Sequence, residues 1–205
     1  MKIDPRDGLA LAYRLRQDEA IVQIGYTPPE AGFFGYQSYL TMRYDSDRKQ
    51  YLTLFNSIGD TINNMTINTR SAATNLFNQP VIIISTADKK VDTLVRNAAK
   101  TAGYSQDIIN TDVIPSSAVK MGLGDGTDLF GFVSRIAVPR DRNELDAYIK
   151  DPGSVVFRLT PKVTMRPEPF PVPALRVRGT GKTELDLLPA VEELRQAILA
   201  QYQNF

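Results

Sequence analysis

An α+β fold is predicted from three features of the sequence. Val81-Ile82-Ile83-Ile84-Ser85-Thr86 follows Pro80 as a continuous β-branched run, the pattern of a strand covered on both faces. Directly after it, Val91, Leu94, Val95, Ala98, Ala99 and Ala102 recur at helical spacing up to Gly103. Residues 34–44 alternate instead, with Phe34, Tyr36, Leu40, Met42 and Tyr44 on one face, before a polar turn and a returning strand. Locally paired strands and strands separated by a helix thus share one chain, which is the α+β pattern.

In order along the chain, residues 20–26 are a short apolar strand ended by Thr27-Pro28-Pro29, where two prolines remove backbone donors. The hairpin joins residues 34–44 to 49–56 through Asp45-Ser46-Asp47-Arg48. After the Ser57-Ile58-Gly59-Asp60 turn, residues 64–69 are expected as a further short strand. Asp88 is the expected cap of the first helix. Strands at 108–114 and 129–138 are stopped by Pro115 and Pro139. Leu145, Tyr148 and Ile149 mark a second short helix ending at Asp151-Pro152-Gly153, and residues 154–160 close the unit as a strand. Residues 80–161 therefore read β-α-β-β-α-β, the split unit of ferredoxin-like topology, which carries no function by itself.

Four prolines alternate at 167, 169, 171 and 173, making an extended, stiff segment that is expected as a strap across the domain surface. Leu187, Leu188, Val191, Leu194 and Ile198 then give an amphipathic helix capped by Asp186, expected to pack back on the sheet with Leu194 buried. A single domain over residues 1–205 is favoured. The alternative is a subdivision into a β-rich part, 1–75, and a second part, 76–205, that holds the split unit and the last helix.

Absences narrow the chemistry. The chain has no Cys and no His. Disulfides, thiolate zinc, iron–sulfur ligation, cysteine nucleophiles and serine–histidine triads are therefore excluded. No cofactor is expected, and a metal would have to be a hard cation held by oxygen. With 24 basic and 23 acidic residues, a net charge of +1 gives no electrostatic reason to expect a nucleic-acid partner. No apolar run is long enough for a membrane span, and residues 1–7 turn polar at once, unlike a signal peptide. A small polar ligand or a protein partner is left.

Several motifs invite a functional reading. Residues 176–183, RVRGTGKT, hold Gly181, Lys182 and Thr183 of a phosphate-binding loop, but Arg176 stands where its first glycine belongs. The preceding segment is the proline strap and only one helix follows, so nucleotide hydrolysis is not expected. Gly122 to Asp128 resembles part of a calcium loop. Asp125 and Asp128 are its ligand candidates, but the twelfth position from Asp125 is Ile136, not a glutamate, and a turn is the simpler reading. Asp60, Asn63 and Asn64 form the densest polar cluster and are the binding candidates. Ser117 and Lys120 have S-x-x-K spacing and, with Asp112, are the catalytic candidates in a chain without histidine. Asn64-Met65-Thr66 is a glycosylation sequon.

Three stretches, TPPEAGFFGYQSYL, SIGDTINN, and VIIISTAD with NTDVIPSS, resemble an uncharacterised family of exported bacterial proteins in which an aromatic strand precedes an S-[IL]-G-D turn. The resemblance implies an exported or periplasmic location and transfers no catalytic residue. The leading expectation is a non-enzymatic binding or structural protein of the cell envelope or exterior. The alternative is a hydrolase or lyase working through carboxylates or the Ser117/Lys120 pair.

Overall fold

A computed structural model describes residues 11–70, 75–171 and 188–202. The chain divides into two compact units, Met1–Pro171 and Val172–Phe205. The first contains β1 (Ala20–Tyr26), β2 (Ala31–Asp45), β3 (Gln50–Ser57), β4 (Ile62–Asn63), β5 (Pro80–Thr86), α1 (Lys89–Thr101), β6 (Ile109–Val113), β7 (Leu129–Pro139), α2 (Arg142–Lys150) and β8 (Val155–Leu159). The second contributes α3 (Leu188–Tyr202).

The α+β class is as expected, with mostly antiparallel strands in two sheets. The first sheet runs β6-β5-β1-β8; the second places β2 between β7 and the β3/β4 side. This pairing departs from the ferredoxin-like split unit. β5 and β6 pair directly and in parallel, whereas the split arrangement inserts a strand between them, and β7 leaves for the other sheet. The reason is the N-terminal strands. β1 occupies the edge of β5 that a split unit would fill from within, and the 15-residue β2 offers β7 a ladder from Ala31 to Met42. Residues on both sides of position 75 are thus interleaved in both sheets.

β5 shows how the layers are made. Ile82 and Ile84 face α1, where they meet Val22, Val91 and Val95. Val81 and Ile83 face the second sheet and meet Phe34, Tyr36, Ile62 and Ile67. Strand alternation therefore serves two apolar layers at once, with about 1.5–3 kcal/mol for each isoleucine buried. Asp88 caps α1 as expected, its carboxylate accepting from the N–H groups of Lys90 and Val91 at 2.9 and 3.0 Å. The proline segment also behaves as a strap. Lys89 N–H donates to the Glu168 carbonyl, Glu168 N–H to the Asp88 carboxylate, and Phe170 N–H to the Ala87 carbonyl.

Two local expectations are corrected. Residues 64–69 are not a strand: the Asn63 side chain accepts from Met65 N–H and the Asn63 carbonyl from Thr66 and Ile67, which closes a turn after the two-residue β4. The aromatic face of β2 breaks at a bulge between Leu40 and Met42, so Met42 and Tyr44 leave the face that Phe34, Tyr36 and Leu40 share. Leu188, Val191, Leu194 and Ile198 lie on one helix, α3, as their spacing predicts. The phosphate-loop-like segment 176–183 and the cap Asp186 lie outside the described residues. Among the described residues, no helix is long and apolar enough to cross a membrane.

Candidate functional site

The sequence-nominated residues do not gather in one place. Asp112, on β6, stands beside Ser85 of β5 in the parallel register and turns into the layer between the sheets. It is 1% exposed. Its carboxylate accepts from the Ser85 hydroxyl at 2.7 Å and, across the layer, from the hydroxyl of Ser38 on β2. Burial pushes the Asp112 carboxyl up from its ordinary range, with the two serine hydroxyls and the Ser38 N–H working against the rise. Tyr13 completes the cluster. Burial drives its phenol up, the Asp112 carboxylate adds to the rise, and the Ser38 hydroxyl beside it offsets part without a well-formed hydrogen bond.

Neither Ser117 nor Lys120 is among the hydrogen-bond partners of Asp112. Both are exposed, and Lys120 engages Asp128 through its backbone N–H at 2.8 Å. Asp128 is fully buried and forms a two-pronged pair with Arg43, at 3.0 and 2.7 Å. Both of its oxygens are thus committed to the protein. Asp125 is exposed and reaches Arg14 at 3.4 Å. The loop from Gly122 to Asp128 that carries both is a glycine turn, with Gly122 and Gly126 at φ of 146° and 83°. Among the described residues, no group of three or more acidic side chains is placed to hold a metal. Asp60 is exposed at the β3–β4 turn, and Asn63 and Asn64 belong to the turn described above. Of the nearby polar residues, Asn110 braces the backbone of Asn68 through both ends of its amide, at 2.7 and 3.0 Å.

An accessible concavity lies elsewhere. A cleft of about 730 Å³ separates β7 from α2. Ser134, Arg135 and Ile136 form one wall, Leu145, Tyr148 and Ile149 the other, and Phe33 of β2 lies between them. Arg135 is the one residue of its lining with a full charge at neutral pH. Its guanidinium stands 5.5 Å from the centre of the Tyr39 ring and, among the described residues, meets no carboxylate. Gly35 lies opposite Arg135 in the ladder, and a Cβ there would press on Thr61 and the Phe33 ring at 2.7 and 3.0 Å, so the glycine keeps that ring in position. A small adjoining pocket of about 60 Å³ shares Phe33 and Arg135 and is also lined by Gln37 and Thr61. On the other wall, Tyr148 donates to the Tyr26 carbonyl at 3.0 Å, fixing α2 against the end of β1. Burial raises the Tyr148 phenol, as it does the fully buried Tyr36 beside it.

Sequence reasoning named Asp112 but missed Ser38 and Ser85, and it missed the cleft. Ser85 had a legible signal: a hydroxyl on the same strand face as Val81 and Ile83 must find a partner inside. Arg135 had none, because an exposed strand arginine reads as ordinary surface. No protein-family model, curated protein or solved structure matches the chain.

Proposed function

We propose that the protein is a non-enzymatic binding protein whose ligand sits in the cleft between β7 and α2. The observation that carries this reading is the cleft itself. It has the volume of a ligand site, a mainly apolar lining and a single charged group to orient what enters, which is the usual composition of a binding pocket. The residues with catalytic character support the same reading by their positions. Asp112, Ser38 and Ser85 do not line either cavity and hold one another, so they serve as a polar tie between the sheets. The resemblance to exported bacterial proteins supports a place in the cell envelope or exterior.

Anilinonaphthalene sulfonate, an apolar probe with one anionic group, tests the site. Its fluorescence is expected to rise on the full chain, to fall back with Ile149→Arg in the cleft wall, and to persist with Asp112→Asn. Chromogenic esters, glycosides and phosphates are expected to remain unhydrolysed. Turnover abolished by Asp112→Asn, Ser117→Ala or Lys120→Ala would contradict the proposal and restore the hydrolase alternative.

A further inference from the structure

The wall formed by β7 is a sheet edge, and its backbone determines what the cleft is built to take. Phe130 exchanges both of its backbone hydrogen bonds with Tyr13, N–H to carbonyl in each direction at 2.8 Å. Those groups therefore point away from β2. Strand alternation then places the N–H and carbonyl of Phe132, Ser134 and Ile136 on the same side, while Gly131, Val133, Arg135 and Ala137 face β2. Among the described residues, nothing bonds to the outward set beyond Phe130. Ser134 and Ile136 lie within the cleft, so their backbone donors and acceptors open into an apolar groove instead of onto a flat surface.

We infer that the cleft takes an extended peptide segment of a partner protein, which adds as a strand to β7 and carries an acidic side chain for Arg135. This inference rests on the binding reading above and specifies its ligand. Three observations select this occupant. The ladder is already begun, since Tyr13 pairs with Phe130 at one end and an added segment continues along the same edge. The charge is complementary. The residue of an added antiparallel strand that stands opposite Arg135 shares its face, and among the described residues Arg135 meets the Tyr39 ring and no carboxylate. The template is also short. Val138 at φ 55° and Pro139 end the regular strand, leaving room for a short peptide and not for the long continuous edge of a second copy. Main-chain bonds to Ser134 and Ile136 give affinity, and the Leu145, Tyr148 and Ile149 wall selects apolar side chains.

The test is to pan a random peptide library against the full chain, then follow amide hydrogen exchange with a selected peptide bound. Selected peptides are expected to carry an acidic residue flanked by apolar ones and to lose roughly tenfold or more in affinity to Ile149→Arg, as when an interface anchor is lost. Exchange is expected to slow at Ser134 and Ile136 while Val133 and Arg135, already bonded to β2, stay unchanged. With Arg135→Glu, the selected acidic position is expected to become basic. Peptides that bind the cleft without protecting Ser134 and Ile136 would overturn strand addition. If anilinonaphthalene sulfonate occupies the cleft and panning yields no peptide sensitive to Ile149→Arg, this inference falls and the binding reading stands. If the probe is also indifferent to Ile149→Arg, both fall.

Discussion

The polar cluster around Asp112 and the cleft beside Arg135 are opposites. The first has a carboxylate and two serine hydroxyls within the core, with the partly buried Tyr13 beside them, and they line neither of the two cavities described above. The second is open and apolar, with a single charge among its lining groups. Titratable groups with shifted ionisation are common signs of an active site, but structural networks shift ionisation for the same physical reason, which is burial. Accessibility separates the two cases. Groups that satisfy one another inside a two-sheet sandwich fix how the sheets meet, while groups left unsatisfied beside a cavity are available to a ligand.

The contrast can be broken or sharpened by substitution, because interior polar groups should control stability and cleft groups should not. The largest effect is expected at Asp128. Asp128→Ala leaves Arg43 without its carboxylate and Lys120 N–H without an acceptor, and a loss of about 2–4 kcal/mol in denaturant unfolding is expected. Ser38→Ala removes one donor to the Asp112 carboxylate and should cost about 1–3 kcal/mol by the same measurement.

Asp112→Asn should alter the pH dependence of stability. The raised folded value means that stability from the neutral carboxyl is complete below the ordinary carboxylate range and is lost as the pH rises through the raised value. The wild type should therefore lose ground to D112N as the pH increases from about 4 upward. Parallel stability curves for the two proteins would show that Asp112 titrates normally. The smallest effect is expected at Ile149, which is 63% exposed: Ile149→Ser should change stability by no more than about 0.5 kcal/mol while weakening occupancy of the cleft.

How much of this was legible in the sequence follows from the range of the interactions. β5, the Asp88 cap and the spacing of α1 are local patterns, and they fold as read. The insertion of β1 between β5 and β8 is not local, and periodicity says which residues share a face without saying which strand lies beside them. The bulge after Leu40 is equally silent, since one extra residue reverses a face without changing composition. Asn63 overrides the strand expected at 64–69 because its short side chain accepts from Met65 N–H while its carbonyl takes the Thr66 and Ile67 N–H groups, closing a turn.

The same distinction governs the candidate site. Asp112 was named as one of a polar cluster with Ser117 and Lys120, yet its partners are 27 and 74 residues away, on two other strands. The cleft exists only because β7 crosses to the second sheet and α2 is held to Tyr26. Neither event has a local signature.

On the proposed function, ligands enter beside β7 and leave the Asp112 cluster untouched. Amide chemical-shift mapping of the full chain against a library of small apolar acids tests it most directly. Shifts are expected to concentrate at residues 134–137 and 145–149 and to be abolished by Ile149→Arg, with Ser38, Ser85 and Asp112 unchanged. Shifts centred on Ser38, Ser85 and Asp112, surviving Ile149→Arg and lost with Asp112→Asn, would contradict it.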